Sequence, residues 1–174
     1  LSGSSDELLY HFKKLSNKIK SKYDLTKKSK ILDIGSNDGT TLKFFDKAEL
    51  LIGVDPIALK YQNKYPKDSV VYNDFFDLNI SKEIKKKYSE IDIITTFAMF
   101  YDLEDPIEFA KNVNNLLSDN GIWSLEQSYL PSMLQKNAFD TICHEHIEYY
   151  SLKQIELIMN QSNLKVIDNK ITEA

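Results

Sequence analysis

Short apolar runs alternate with amphipathic stretches along most of this chain. Each run has the length of a strand buried in a sheet, whereas the stretches between runs carry apolar residues at helical spacing. The repeated alternation predicts an α/β fold with a doubly wound, mostly parallel sheet. The predicted strands lie at 31–34, 50–55, 70–72, 91–96 and 122–126, with a further strand near 164–171.

Helices are predicted between these strands. The first carries His11, which we interpret as a surface or rim histidine. The helix that begins at Pro106 is expected to end at Asn120 and Gly121, because glycine commonly follows the last residue of a helix. The other helical segments lie at 40–45, 57–64, 80–88 and 151–161.

A turn with two glycines follows the first predicted strand. The stretch from Asp33 to Gly39 ends a buried strand and opens a helical segment, which is where open α/β sheets bind ligands. The glycine pattern of a dinucleotide site is incomplete, because Asn37 and Thr40 hold its second and third positions. Asp38 would also repel a phosphate, so a cationic ligand fits better than a nicotinamide dinucleotide. An ordinary turn without a ligand is the alternative.

Polar and apolar residues of interest follow the other strands at the same edge of the sheet. Asp55 ends the second strand about twenty residues after the glycine turn, the place of a ribose-binding carboxylate in nucleotide-binding folds. Capping of the helix near Pro56 is the alternative role for Asp55. An apolar loop with Met99 follows the fourth strand, and it either lines a pocket or packs in the core.

Whole-chain composition narrows the set of partners. The 174 residues fit one domain, and the net charge of −4 does not favour nonspecific nucleic-acid binding. No apolar run is long enough to cross a membrane, and the single cysteine suits a reducing, cytoplasmic compartment. All 22 basic residues are lysines, so a diphosphate would be bound without bidentate guanidinium contacts.

The segment 139–151 holds the densest group of chemically active side chains. A metal site is disfavoured, because Cys143, His144 and His146 lack the spacing of a zinc motif. A Cys–His nucleophile is weaker still, since adjacent residues rarely point at each other. A purely structural role, in which hydrogen bonds hold the ring, would account for one of the two histidines but not for the whole group of side chains. Acid–base chemistry is the remaining interpretation, because a histidine beside a carboxylate can accept a proton near neutral pH.

Three strings resemble the sugar C-methyltransferases of deoxysugar biosynthesis. They are Asp140-Thr-Ile-Cys-His-Glu-His-Ile-Glu-Tyr-Tyr-Ser151, residues 98–106 and residues 126–129. The stretch from Asp33 to Gly39 resembles the first motif of the wider group of class I methyltransferases, which use S-adenosylmethionine. The resemblance covers essentially the whole chain. It implies a Rossmann-like fold that binds S-adenosylmethionine and a nucleotide-linked 4-keto-6-deoxysugar.

The resemblance also implies roles for single residues. His146 would remove a proton alpha to the sugar ketone and Glu145 would orient that base. His144 or Tyr149 would support the enolate oxygen. Residues of the glycine turn and of the neighbouring strand ends would form the cofactor pocket. These are Asp33, Gly35, Ser36, Asn37, Asp38, Gly39, Asp55, Pro56, Asp74, Phe75, Thr96, Phe97 and Met99.

The same resemblance implies one methyltransferase domain over residues 1–174. We divide it into an N-terminal helix and lead-in (1–29), a cofactor-binding core (30–127) and a substrate-side segment that starts a closing hairpin (128–174). Members of the family carry a cysteine-rich zinc domain before this region and another domain after it. A class I methyltransferase sheet ends in an antiparallel hairpin, and only its first strand is predicted here, so we expect the sheet to be incomplete at its C-terminal end. The ligand spacing noted above predicts no metal site.

Two other functions stay open at this point. An O- or N-methyltransferase acting on a small metabolite or sugar would use the same cofactor site, with the His-Glu-His segment deprotonating a hydroxyl. A non-catalytic domain that binds the cofactor or a partner protein is the second alternative, and the apolar loop at 97–101 motivates it.

Overall fold

Five parallel strands form one sheet in the described part of the chain. This computed structural model describes residues 5–23, 25–26, 28–139, 142–144 and 146–171. The strands are β1 (Lys30–Ile34), β2 (Leu50–Val54), β3 (Val70–Tyr72), β4 (Ile91–Phe97) and β5 (Leu117–Glu126). They lie in the order β3-β2-β1-β4-β5, and every neighbouring pair is parallel. The predicted α/β class with a parallel sheet is confirmed.

Helices connect the strands and flank the sheet. They are α1 (Asp6–Lys22), α2 (Leu78–Tyr88), α3 (Pro106–Leu116), α4 (Leu130–Lys136) and α5 (Leu152–Gln161). Three short 3₁₀ helices lie at Leu42–Phe45, Ala58–Lys64 and Phe100–Asp102. Within the described ranges, no helix combines the length and the apolar character that a membrane span requires.

Aspartates fix where two of these helices begin. The carboxylate of Asp77 accepts the N–H groups of Asn79 and Ile80, each at 2.8 Å, so it satisfies two donors that the helix itself cannot. Asp105 accepts the N–H of Glu108 at 2.8 Å ahead of Pro106, which is well placed in a first helical turn.

Two apolar cores enclose the sheet, one on each face. On β1, Ile31 belongs to the cluster that contains Phe12 of α1, whereas Leu32 belongs to the cluster built with α2, α3 and α5. Both side chains are 0% exposed, and successive residues of a strand point to opposite faces. The sheet is therefore covered on both sides, as a doubly wound fold requires.

The strand order reverses at β1. Chain order runs outward from β1 to β2 and β3 on one side, and then to β4 and β5 on the other. In open α/β sheets, a crevice opens outside the carboxyl ends of the strands at such a switch point. The glycine turn after β1 and the loop after β4 border this crevice.

The predicted end of α3 at Asn120 and Gly121 is wrong. The helix ends at Leu116, and Leu117 already pairs with Ile91 of β4. The next pairs join β4 residues from Ile93 onward to β5 residues from 122 onward, so residues 118–121 form an irregular excursion within β5. Asn120 and Gly121 do mark a turn, but this turn lies within β5 and does not end α3.

The predicted strand near 164–171 is also wrong, because these residues adopt no regular secondary structure. Leu164 and Val166 nevertheless pack against the larger core, so apolar residues of this stretch are used for packing without strand pairing. A strand needs a backbone partner as well as an apolar face, and the sequence pattern reports only the face. Helix α4 was not predicted at all.

Candidate active site

The glycine turn after β1 places three alternate residues in the left-handed backbone region. Gly35 has φ +73°, Asn37 has φ +50° and Gly39 has φ +71°. Glycine adopts this region without steric cost, and asparagine tolerates it better than most other residues. Asn37 thus stands where the first motif of class I methyltransferases has its middle glycine, and the turn keeps its left-handed backbone without that glycine.

Tyr65 braces this turn, a role that the sequence did not reveal. Its ring lies 2.7 Å from the position that a Cβ on Gly39 would take and 2.6 Å from the position that a Cβ on Gly53 would take. Its hydroxyl donates to the carbonyl of Asn37 at 2.9 Å and lies 2.8 Å from Ser36 Oγ. Burial is the main cause that raises the pKa of Tyr65 to about 12, so the phenol stays protonated. The two glycines make room for a side chain as well as for a ligand.

Two carboxylates lie beneath the turn. Asp33 is 2% exposed and accepts a hydrogen bond from Thr95 Oγ1 at 2.6 Å. Burial is the main cause that raises the pKa of Asp33 to about 7; the nearby charge of Asp55 adds to this rise and the hydrogen bonds of Asp33 oppose it. Asp55 accepts the N–H of Asn37 and the N–H of Ile57, each at 2.9 Å. It therefore caps the following turn and also supports the glycine turn.

Asp38 faces the protein interior. Its carboxylate is 1% exposed, accepts a hydrogen bond from Thr40 Oγ1 at 2.7 Å and lies 3.8 Å from Lys64 Nζ. We expected this charge to face a cationic ligand. The structure instead uses it to hold the end of the turn.

Other predicted pocket residues divide into exposed and buried groups. Pro56, Asp74 and Phe75 are exposed at the carboxyl ends of β2 and β3, with Phe75 at 73%. The hydroxyl of Thr96 is buried and accepts from the indole of Trp123, and Phe97 is also buried.

Phe97 stacks on Phe12 at 5.6 Å between ring centroids. The side chains of Thr96 and Phe97 therefore belong to the packing beneath the crevice. Met99, in contrast, lies against Gly35, with its Cγ 3.0 Å from the position of a Cβ there.

The turn offers an unused hydrogen-bond acceptor. The side-chain oxygen of Asn37 is buried and no described residue donates to it. A buried polar atom without a partner costs free energy unless a ligand or water satisfies it. Together with the carboxylates of Asp33 and Asp55, this oxygen fits a ligand that carries hydrogen-bond donors and positive charge.

The histidine segment, residues 142–144 and 146–150, docks on the loop after β4. The N–H groups of Ile147 and Glu148 both donate to the carbonyl of Tyr101 at 3.1 Å. The N–H of Leu130 donates to the carbonyl of Tyr150 at 3.0 Å, which ties the segment to the start of α4. These hydrogen bonds bring the histidine segment to the loop after β4 and to the start of α4.

Two predicted catalytic residues are partly buried in this segment. The ring of His146 lies 4.2 Å from the ring of Tyr101, and Tyr149 is half-buried. His144 is exposed, and the predicted residue Glu145 lies outside the described residues. Burial is the main cause that raises the pKa of Tyr101 to about 12, and Asp102, Cys143 and Glu126 add to it. Tyr101 is thus a protonated phenol beside His146 that we did not single out.

His11 and Glu126 form a second feature that sequence reasoning missed. The Nε2 atom of His11 lies 2.7 Å and 2.8 Å from the two carboxylate oxygens of Glu126. The two side chains are 32% and 26% exposed. They lie 115 positions apart in the chain, so no local pattern could have linked them. Among the described residues, no group of three or more His, Cys, Asp or Glu side chains is arranged to hold a metal ion.

Comparison with known proteins gives one family. The family described as "Methyltransferase domain" matches residues 8–169. The C-methyltransferase NovU of Streptomyces niveus is 26% identical over 169 residues, which are 97% of this chain and 40% of NovU. The chain thus spans about two fifths of the length of this curated relative.

Solved structures share the fold. The plantazolicin methyltransferase BpumL, in complex with a pentazolic desmethylPZN analogue and SAH, superposes with a TM-score of 0.67 at 17% identity, over 90% of this chain and 64% of that one. YcgJ of Bacillus subtilis superposes with a TM-score of 0.68 at 20% identity, over 88% and 68%. Similarity at this level of identity concerns the fold alone.

Proposed function

This chain belongs to the methyltransferase-domain family, and from that premise we propose that it C-methylates a nucleotide-linked 4-keto-6-deoxysugar. The general reaction, methyl transfer from S-adenosylmethionine, follows from the family. The 26% identity to NovU supports carbon as the atom that accepts the methyl group. The sugar and its nucleotide are what the resemblance to the sugar C-methyltransferases implies.

The glycine-turn residues fit S-adenosylmethionine. This cofactor supplies an activated methyl group on a positively charged sulfur, and it carries an ammonium group and ribose hydroxyls that donate hydrogen bonds. Asn37 Oδ1 and the carboxylates of Asp33 and Asp55 are acceptors for such donors. Gly35 allows the backbone to approach a ligand, and Met99 bounds the space beside it. These residues bind and orient the methyl donor.

The histidine segment fits proton removal from carbon. A ketone makes the neighbouring C–H acidic, and His146 is the residue that we assign to take this proton. The electrons left behind move toward the ketone oxygen, where a hydrogen-bond donor stabilises them. Tyr101 stays protonated because its pKa is about 12, so its phenol can donate there, beside the proposed roles of His144 and Tyr149.

One observation carries this proposal above the others. The segment with His146 is held by two backbone hydrogen bonds on the loop after β4, at the crevice where the methyl donor binds in this fold. A histidine placed by backbone contacts beside a half-buried phenol is prepared for proton transfer. A domain that only bound the cofactor would have no need of this arrangement.

Exchange of a carbon-bound proton tests the proposal. The natural full-length protein is incubated in D₂O with thymidine-diphospho-4-keto-6-deoxyglucose as the probe, first without and then with S-adenosylmethionine. We expect deuterium at the carbon next to the ketone in the first case and a new C-methyl group in the second, both read by mass spectrometry and NMR. His146→Ala should lose both reactions by about 10²–10⁴-fold and keep its affinity for S-adenosylmethionine.

Other results would redirect the assignment. Methyl transfer to a sugar oxygen or nitrogen without carbon-bound exchange would favour the O- or N-methyltransferase. Wild-type turnover in His146→Ala would remove His146 from the mechanism. No transfer to any sugar nucleotide would end the sugar hypothesis. A cytoplasmic location, and further domains of the same protein that help to hold the nucleotide, are part of the proposal.

A further inference from the structure

His11 reaches the carboxyl edge of the sheet from the opposite end of the chain. Its helix, α1, lies across the last residues of β4, where Phe12 stacks on Phe97 at 5.6 Å. The neighbouring His11 contacts Glu126, the last residue of β5, through both carboxylate oxygens. The N–H of Ala98 donates to the carbonyl of Glu126 at 2.9 Å, which fixes this strand end beside the loop after β4.

Glu126 and His146 both act on the same phenol. Burial is the main cause that raises the pKa of Tyr101, and the charge of Glu126 makes the smallest of the contributions that add to it. The ring centroids of His146 and Tyr101 lie 4.2 Å apart. The two histidines therefore flank one part of the crevice, although they come from α1 and from the histidine segment.

The pair is neither fully buried nor fully exposed. At 32% and 26% exposure, its side chains are within reach of a bound molecule. The carboxylate engages only Nε2 of His11, which leaves Nδ1 as the ring nitrogen that Glu126 does not hold. A carboxylate that fixes one imidazole nitrogen sets the orientation of the ring.

We propose that His11, oriented by Glu126, is a second acid–base residue of this site, and that it protonates the acceptor's ketone oxygen. This inference rests on the proposed function. It assigns opposite proton transfers to the two histidines, one at carbon and one at oxygen. Glu126 is a positioning residue, since it acts through His11.

The proton balance is simple. The C–H bond next to the ketone breaks and its proton goes to His146. The electron pair forms a carbon–carbon double bond, and the former C=O π pair moves to oxygen. That oxygen takes the proton from Nδ1 of His11, which becomes neutral, and the product is a neutral enol. Reversal of both transfers in D₂O returns the ketone with deuterium on carbon, so the step can be followed without a methyl donor.

The experiment is deuterium exchange into thymidine-diphospho-4-keto-6-deoxyglucose, measured on the natural full-length protein with saturating probe. The variants are His11→Gln, Glu126→Gln and, as a matched control one turn along α1, the exposed Lys14→Gln. We expect His11→Gln to lower kcat for exchange by about 10²-fold with little change in KM. Glu126→Gln should give a smaller loss in kcat, and Lys14→Gln should exchange at the wild-type rate.

The outcomes separate this inference from the proposed function. Exchange that depends on His146 but proceeds at the wild-type rate in His11→Gln overturns the role of His11 and leaves the proposed function standing. Absence of exchange and of methyl transfer in the wild type overturns both. A loss in His11→Gln that follows a lowered Tm or a raised KM, with Glu126→Gln unaffected, assigns the pair to holding α1 in place and also overturns the inference.

Discussion

The two halves of the crevice are built in different ways. The cofactor half, from Asp33 to Asp55, is a backbone turn held by hydrogen bonds between residues no more than 18 positions apart, with Tyr65 and Thr95 added from farther away. The acceptor half joins Tyr101 to residues 147 and 148, and His11 to Glu126 across 115 positions. The hydrogen bonds given above for Asp33, Asn37, Asp38 and Asp55 come from β4, from the turns after β1 and β2 and from Tyr65, and not from α1 or the histidine segment, so this half can be shared by enzymes with different acceptors.

The largest expected effect breaks the cofactor half alone. Gly39→Ala places a Cβ 2.7 Å from the ring of Tyr65, at a backbone φ of +71° that disfavours alanine. Overpacking and the left-handed conformation together should cost about 2–5 kcal/mol in the free energy of unfolding. S-adenosylmethionine binding should be lost as the turn is displaced.

Calorimetric titration and urea unfolding measure these two effects. The control is Ala48→Gly, an exchange between the same two residue types at a position with an ordinary φ, which should cost only about 0.5–1 kcal/mol. Gly39→Ala with wild-type stability and affinity would show that Tyr65 yields easily and that the turn is not the rigid half.

This contrast also explains what the sequence could predict. The glycine turn, its flanking strands and the order of elements follow from local patterns, because Asp33, Gly35 and Gly39 lie within one turn of each other. The roles of Tyr65 and His11 could not be predicted, since each depends on a partner brought close by the fold. Local pattern also misled us at Gly121, where a turn signal bends β5 instead of ending α3.

The direction of single side chains at the site was harder to predict than the order of elements, because it too depends on contacts made by the fold. Thr96 ends the predicted fourth strand and Phe97 follows it, and the resemblance assigned both to the pocket, yet their side chains contact Trp123 and Phe12. The alternation of strand side chains decides this, and a shift of one residue reverses it. The division of the chain into lead-in, core and substrate-side segment stays a prediction.

Asp33 of the cofactor half makes the free energy of unfolding depend on pH. Its pKa is about 7 in the folded protein against an ordinary value of 3.8, because burial disfavours the carboxylate. Between pH 4 and 7, the folded chain keeps a proton that the unfolded chain releases, so this group lowers stability as pH rises through that range. Above pH 7 the loss is complete, and it amounts to at most about 4 kcal/mol.

Asp33→Asn should remove this pH dependence. The variant keeps an oxygen that can accept from Thr95, so we expect equal stability to wild type near pH 4 and higher stability at pH 8. Urea unfolding at four pH values measures the difference, with exposed Asp46→Asn as the control. A variant less stable than wild type at pH 8 would contradict the prediction.

Tyr65→Phe tests how much of the cofactor half depends on one hydroxyl. The change removes the hydrogen bonds to Asn37 and Ser36 and keeps the ring that fills the space over the glycines. We expect a loss of about 1–2 kcal/mol in unfolding free energy and weaker S-adenosylmethionine binding. Tyr10→Phe, at a position 70% exposed, should change neither quantity. Equal effects in the two variants would contradict a bracing role for the Tyr65 hydroxyl.

The smallest expected effect lies in the acceptor half. Ala98 follows β4 with φ +54°, a conformation that costs alanine about 1–2 kcal/mol, whereas Gly35 and Gly39 adopt such angles freely. Ala98→Gly should remove that cost but add about 0.5–1 kcal/mol of chain entropy on folding, for a net gain of about 0.5 kcal/mol. The strained backbone at Ala98 would serve the site if it fixes the loop after β4. We therefore expect Ala98→Gly, which relaxes this backbone, to slow proton exchange into the keto-sugar probe as well. Greater stability with unchanged exchange would mean that the acceptor half is placed by its docking contacts on Tyr101 and not by the backbone of this loop.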